Sequence, residues 1–181
     1  MKTAGRVLLL VLLVRWTLLF LLWPMKQEVV GGSFLHLINL PFHEAGHIIF
    51  APFGDLMMSL GGSLTQILIP LVCLVAFLKI ENFNPFAAAV MLWWAGENFV
   101  DVAIYINDAR SLQLVLLGGR TGAEVEGHDW ERILQLTGLL HRDHQLAWTA
   151  HVIGALLMAG GIIWAIVVTW HARQEDNQRG H

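Results

Sequence analysis

The sequence predicts an all-α protein, a polytopic bundle of transmembrane helices. Of the 181 residues, 56% are hydrophobic and only 14% are charged. The mean hydropathy of +0.59 is too high for an ordinary soluble domain. The apolar residues form segments long enough to cross most of a bilayer, which gives about five spans and one short interfacial helix. Residues 1–170 then form a single transmembrane helical domain, followed by a polar C-terminal tail, residues 171–181.

Charge and cysteine content exclude two kinds of site. The net charge of -3 and the pI near 6.3 provide no basic surface, so we expect no nucleic-acid partner. The single cysteine, Cys73, excludes an intrachain disulfide and a zinc site built from cysteines. The expected partners are membrane lipid and other membrane proteins.

The first predicted span, residues 7–23, contains a charged side chain, Arg15. A signal peptide is disfavoured because Arg15 interrupts the apolar core and no small-residue cleavage site follows. A buried arginine needs a carboxylate partner, and the acids of the fourth apolar segment are available. We favour that pairing slightly over an Arg15 side chain that snorkels to an interface.

The second segment, residues 29–53, carries an H-E-x-x-H pattern at His43, Glu44 and His47. Residues four apart share one face of a helix, so the two imidazoles can bind one tetrahedral metal ion. Glu44 lies beside them, where a carboxylate can take a proton from an activated water. Each ionisable residue inside a bilayer costs about 2.5–3.5 kcal/mol on insertion scales, so three together need a partner or a metal. Two buried histidines hydrogen-bonded to neighbouring helices are the alternative.

Two starting points are open for the motif helix. Asn39 can cap a helix that begins at Pro41, or Pro41 can kink a longer helix that begins near Ser33. In the longer helix, His36 falls within about 40° of both motif histidines on the helical wheel. His36 is then a spare ligand or a residue that supports the ligands.

The third span, residues 60–78, opens with small residues and contains Gln66. Small residues let helix backbones approach closely, and Gln66 can hydrogen-bond across helices. Near a metal site, Gln66 can also hold a substrate or the metal-binding helix.

The fourth span, residues 85–106, carries a polar stripe that should face the bundle interior. The stripe occupies roughly 100° of the helical wheel and consists of Glu97, Asn98, Asp101, Tyr105 and, just beyond the span, Asp108. Two histidines leave a tetrahedral site one protein ligand short, and an acid of this stripe can supply the third. We predict Asp101 or Asp108 as that ligand, and Glu97 as the partner of Arg15.

A polar loop, residues 110–131, follows the fourth span. It either folds over the site as a lid, with His128 as a further candidate ligand, or forms a solvated interfacial loop. Residues 132–144 have the pattern of a short amphipathic interfacial helix. Residues 148–170 form the last span, bracketed by tryptophans suited to the two membrane interfaces.

Basic residues predict the orientation of the bundle. If five helices cross, Lys2 and Arg6 lie on the same side as the long loop with its Arg110, Arg120, Arg132 and Arg142. An excess of basic residues marks the cytoplasmic side. We therefore predict an integral protein of the bacterial inner (plasma) membrane with a cytoplasmic N-terminus.

These motifs resemble the site-2 protease type of intramembrane zinc metalloprotease, or a family related to it. That group combines an H-E-x-x-H helix, a following helix that opens with a Gly-Pro-x-x-Asn-like turn, and a later helix with a metal-binding Asp in a Leu-Asp-Gly setting. His43, Glu44 and His47 match the first element fully. Residues 61–66 match the second element only in part, with Gln66 where the family has Asn. Asp108 is not flanked by the Leu and Gly of the third element. The resemblance covers residues 33–110.

The resemblance implies one Zn²⁺ ion as cofactor, Glu44 as catalytic base and transmembrane or juxtamembrane peptides as substrates. Two other classes of function remain open. One is a non-catalytic metal-binding subunit or scaffold of a membrane complex, in which Glu44 is structural. The other is a small transporter, in which the acidic stripe of the fourth span carries protons or metal ions.

Overall fold

The computed structural model describes residues 2–79 and 83–179. Within these ranges the protein is all-helical, apart from one isolated bridge between Val115 and Thr121. The α-helices are α1 (Lys2–Leu22), α2 (Gln27–Val30), α3 (Phe34–Phe50), α4 (Asp55–Lys79), α5 (Pro85–Asn107), α6 (Asp129–Leu136) and α7 (Asp143–Arg179). Short 3₁₀ turns, Ala51–Phe53 and Leu140–Arg142, precede α4 and α7.

Among the described residues, four helices are long and apolar enough to cross a membrane, namely α1, α4, α5 and α7. The prediction of a transmembrane helical bundle is confirmed at this level. The motif helix α3 has 17 residues and is therefore about 26 Å long, which is shorter than the bilayer core of about 30 Å. A fifth crossing at α3 stays a prediction.

Helix α5 lies at the centre of the bundle, and its polar stripe is largely buried, as predicted. It packs antiparallel to α7, where Gly96 faces Gly154. A Cβ atom added to Gly96 would lie 2.6 Å from the Gly154 carbonyl oxygen, so the two backbones are in contact. Such close approach is typical of small residues at membrane helix interfaces.

Helices α1 and α5 run in the same direction. The guanidinium carbon of Arg6 lies 5.1 Å from the ring centroid of Phe86, near the starts of both helices. Further along, the Trp93 indole N–H donates to the Thr17 hydroxyl at 2.7 Å. Arg110 follows the end of α5, so Arg6 and Arg110 lie at opposite ends of the bundle. The side of a membrane that each end faces stays a prediction.

The motif helix begins where the longer alternative placed it. The Ser33 hydroxyl accepts the His36 backbone N–H at 3.2 Å and caps α3, which continues through Pro41. The predicted pairing of Arg15 with Glu97 is wrong, because Arg15 is exposed on α1 while Glu97 is completely buried. Arg15 lies on the outer surface of the bundle. This position agrees with the alternative in which its side chain snorkels to a membrane interface.

Two segments after α5 differ from their predicted bounds. A short helix follows the polar loop, but it begins at Asp129 instead of residue 132 and ends at Leu136. Helix α7 continues to Arg179, so most of the predicted tail is helical, and residues 180–181 lie outside the described residues. The location of α6 at an interface stays a prediction.

Candidate metal centre

The site is built on a backbone contact between α3 and α4. Gly46 and Gly61 face each other, and a Cβ atom added to Gly46 would lie only 2.1 Å from the Gly61 carbonyl oxygen. No larger residue fits at this crossing without moving a helix. The contact places the histidine face of α3 directly over the first turns of α4.

Each motif imidazole is oriented by a hydrogen bond to its Nδ1 atom. His47 Nδ1 lies 2.8 Å from the Met58 carbonyl oxygen, which can only accept, so Nδ1 carries the proton. His43 Nδ1 lies 2.7 Å from Gln66 Oε1 and is held in the same tautomer. Both Nε2 atoms therefore face away from their anchors and are the ring nitrogens left to bind a metal ion, as in metal-binding histidines.

The third member of the cluster is Asp129. Its Oδ2 atom lies 3.2 Å from His43 Nε2 and 3.2 Å from His47 Nε2. Two ligand atoms bound to one tetrahedral zinc ion are about 3.3 Å apart. The three residues can offer ligand atoms that all lie within 4.8 Å of one another. The donor set of two imidazoles and one carboxylate is one used by catalytic zinc sites.

Asp129 reaches the histidines because the polar loop folds back over the bundle. The Asp129 backbone N–H donates to the Tyr105 hydroxyl at 3.2 Å. The next residue, Trp130, donates its indole N–H to the Ser63 hydroxyl at 3.0 Å, and Arg132 forms an ion pair with Asp55 at the start of α4. These contacts support the folded-lid alternative over a fully solvated loop.

Asp129 is held in its ionised form. Burial opposes ionisation of this carboxyl, but the hydrogen bonds and charges of His43 and His47 outweigh burial and hold its pKa below the usual range. An ionised carboxylate is the form that binds a cation.

The space in front of the imidazoles is kept open by Gly62. A Cβ atom added there would lie 2.6 Å from His43 Nε2 and 2.7 Å from His47 Nε2. Both contacts are far shorter than real Cβ contacts. The absence of a side chain at this position leaves the two nitrogen lone pairs accessible, so the residues present fit a bound metal ion.

The residues predicted as the third ligand lie elsewhere. Asp101 contacts His36, with Oδ1 2.8 Å from Nδ1. The Asp108 carboxylate accepts the backbone N–H groups of Gln113 and Leu114, both at 2.9 Å, and so holds the start of the loop. Neither aspartate belongs to the group around His43 and His47.

His128 is also occupied by a structural role. Its Nδ1 atom accepts the Glu131 backbone N–H at 3.1 Å and caps α6. Burial lowers its pKa in spite of the neighbouring charges of Asp108 and Asp129. The Nδ1 lone pair is used by this cap, and His128 does not belong to the group formed by His43, His47 and Asp129.

Asp129 was not among the ligands predicted from the sequence. A weak signal was present, since Asp129 and Glu131 precede the apolar pair Ile133 and Leu134, which is typical of a helix start. A helix start binds no metal by itself, and no periodicity connects a loop residue to a helix eighty positions earlier.

Glu44 lines a cavity of about 390 Å³ that is continuous with the metal cluster. His36, Gln66 and Asp101 form part of the polar wall, and residues 114–117 of the loop provide an apolar wall. The cavity is within the size range of ligand sites, which is about 300–1,000 Å³. The candidate base and the candidate ligands thus share one solvent-accessible space.

No protein-family model, curated protein or solved structure matches this chain. The case for a metal centre therefore rests on the geometry of these residues.

Proposed function

We propose that this protein is an intramembrane zinc metalloprotease that hydrolyses peptide bonds of membrane-embedded substrates. One observation carries the proposal: two Nε2 atoms with fixed tautomers converge on an ionised aspartate, beside Glu44 and an open cavity. The proposed relationship to site-2 proteases is supported by the H-E-x-x-H helix and by its contact with the Gly-rich start of the next helix.

In the proposed mechanism, His43, His47 and Asp129 would hold the ion. When bound, zinc would supply Lewis-acid chemistry at the peptide carbonyl and at the attacking water. The Glu44 carboxylate takes a proton from that water and returns it to the departing amine. The Tyr105 hydroxyl accepts the Asp129 backbone N–H and so helps to fix the loop ligand.

The substrate class follows from where the cavity lies. Its walls come from α3, α5 and the loop that covers one end of the bundle, so a substrate can enter from the membrane surface. A helical segment conceals its carbonyl groups in hydrogen bonds, and peptide hydrolysis therefore requires an unwound stretch. We propose transmembrane or juxtamembrane peptides with such a stretch near one membrane surface.

Replacement of Glu44 by Gln tests the proposal. The neutral amide keeps the shape of the side chain but cannot accept the proton, so we expect cleavage to fall by about 10²–10⁴-fold while zinc content stays unchanged. The assay uses purified protein in liposomes with a panel of tagged single-span helices that carry helix-breaking residues near one end. Zinc is measured by mass spectrometry on the same samples.

The other outcomes identify the alternative functions. Wild-type protein that retains zinc but cleaves no member of the panel would be a non-catalytic metal-binding subunit or scaffold. Wild-type protein that retains no zinc would contradict the metal centre. The small-transporter hypothesis would then be the one that remains.

We also propose a topology of four spans, with residues 23–54 as a re-entrant segment. The shared direction of α1 and α5 and the short connection between α4 and α5 support it, because the end of α1 and the start of α4 then lie at one end of the bundle. An even number of crossings puts both termini on the same side. The motif helix dips into the membrane and returns to the side of the long loop.

The basic residues do not choose between the two orientations of this topology. One end of the bundle has Lys2, Arg6, Lys79, Arg173 and Arg179, and the other has Lys26, Arg110, Arg120, Arg132 and Arg142. These sets are equal in size, so the positive-inside rule gives no preference. A cytoplasmic N-terminus and a location in the bacterial plasma membrane stay predictions.

Single-cysteine labelling tests the topology. In a Cys73→Ala background, we expect Ala4→Cys and Gln174→Cys to react with a membrane-impermeant maleimide from one side of the membrane. Arg120→Cys should react only from the other side. All three positions are exposed. Labelling of Ala4→Cys and Arg120→Cys from the same side would support five crossings instead.

A further inference from the structure

Asp101 is buried beside the metal cluster and has no part in the proposed mechanism. Its side chain is within hydrogen-bond distance of three N–H donors from three different residues. His36 Nδ1 lies 2.8 Å from Oδ1, while Asn39 Nδ2 and Gln66 Nε2 each lie 3.3 Å from Oδ2. Asp101 is only 8% exposed and Gln66 only 4% exposed, so solvent has little access to replace these partners.

The contact with Asp101 fixes the orientation of the Gln66 amide. An amide can present its N–H₂ group or its oxygen to a neighbour. In the structure Gln66 donates from Nε2 to Asp101 Oδ2 at 3.3 Å. Its oxygen then faces His43 Nδ1, at 2.7 Å.

The orientation of Gln66 in turn sets the tautomer of His43. An amide oxygen can only accept, so His43 Nδ1 must carry a proton, and Nε2 is the ring nitrogen left to bind a metal ion. His43 Nε2 is the atom that faces Asp129 in the cluster. With the amide reversed, Nδ1 would face an N–H₂ donor and could not keep its proton, so the ring proton would have to stay on Nε2, the atom that should bind the metal ion.

We propose that Asp101 is a positioning residue that prepares His43 for zinc through the Gln66 amide. This inference rests on the proposed metal centre. It assigns Asp101 a role one step removed from the ligand role that the sequence suggested. His47 has an independent anchor, the Met58 carbonyl, so the effect of Asp101 should act on His43 alone.

The test is a double-mutant cycle read out as zinc affinity in a chelator competition. Asp101→Leu removes the acceptor, and we expect zinc affinity to fall by about 10–100-fold, as for other residues that orient metal ligands. Gln66→Leu should cause a similar loss. Because both residues act through one path, the double variant should bind zinc no more weakly than Gln66→Leu alone. Unchanged affinity in Asp101→Leu, or fully additive losses, would overturn the proposal.

Two further variants separate positioning from general damage. Glu97→Gln is the matched control, because Glu97 accepts from Asn39 in the same polar cluster but makes no hydrogen bond to Gln66. Its zinc affinity should remain that of the wild type. The double variant Gln66→Glu with Asp101→Asn exchanges the amide and the carboxylate, and it still offers the His43 Nδ1 proton an acceptor. Its zinc affinity should exceed that of Gln66→Glu alone, in which two carboxylates face each other.

The tautomer itself can be read without zinc. Two-bond ¹H–¹⁵N spectra of the metal-free protein should show His43 protonated at Nδ1, and Gln66→Leu should show both tautomers. A wild-type protein that binds no zinc would contradict the proposed function. The spectrum would still test whether Gln66 keeps the proton on His43 Nδ1, because it is recorded on the metal-free protein. His43 without a proton on Nδ1 in the wild type would overturn the inference.

Discussion

Gly62→Ala is expected to leave the helix bundle folded and to remove zinc binding. The added methyl group would lie 2.6 Å and 2.7 Å from the two Nε2 atoms. The imidazoles can relieve these contacts only by rotating away from Gln66 and Met58, which separates the lone pairs. A site in which the two histidines no longer converge should lose more zinc affinity than the about 10–100-fold that is typical of supporting residues.

The control for this substitution is Gly160→Ala. Gly160 lies in α7, where an added Cβ atom would approach no closer than 4.0 Å to Leu92. This variant adds the same methyl group to a transmembrane helix without touching the site, and should retain zinc. The measurements are metal content and helicity by circular dichroism in the same detergent. Normal zinc content in folded Gly62→Ala protein would show that the ion does not lie in front of these nitrogens.

Asp129→Ala is expected to have an effect of similar size. The substitution removes the carboxylate that both imidazoles face, and it leaves two histidine ligands from a single helix. Two ligands hold zinc far less tightly than three, so we expect an affinity loss larger than the about 10–100-fold that is typical of residues supporting the ligands. His47→Ala provides the positive control for loss of a ligand.

The comparison with Asp108→Ala decides between the sequence prediction and the geometry. Asp108 holds backbone groups of the loop, so its loss should lower the stability of the fold but leave most of the zinc bound. If Asp129→Ala retained zinc and Asp108→Ala lost it, Asp108 and not Asp129 would be the third ligand. Chelator titration with a zinc indicator measures both affinities on one scale.

The sequence predicted much of the helical architecture because its signals are local. Apolar segments identified the four long helices, and the wheel position of the α5 polar stripe identified its buried face. The H-E-x-x-H spacing brought His43 and His47 onto one face of α3. Each of these inferences depends only on the 3.6-residue period of a helix.

The contacts between distant segments were not predictable in the same way. Asp129 lies in a loop, and its contact with His43 depends on how that loop folds over α4. The pairing of Arg15 with Glu97 assumed that a charged residue in a span points inward, whereas Arg15 lies on the outer surface of the bundle. A helical wheel identifies the polar face of one helix, but it does not identify the neighbour that covers that face.

The contact of Gly46 with Gly61 has a consequence for how this protein can change over time. The spacing of the two helices that carry the histidines and Gly62 is fixed by backbone atoms and owes little to the shapes of surrounding side chains. Mutations on the lipid-facing surface need only keep a residue apolar, so they can accumulate without displacing the imidazoles. Two glycine positions are thus intolerant of substitution, while most of the helix surface around them is free to diverge.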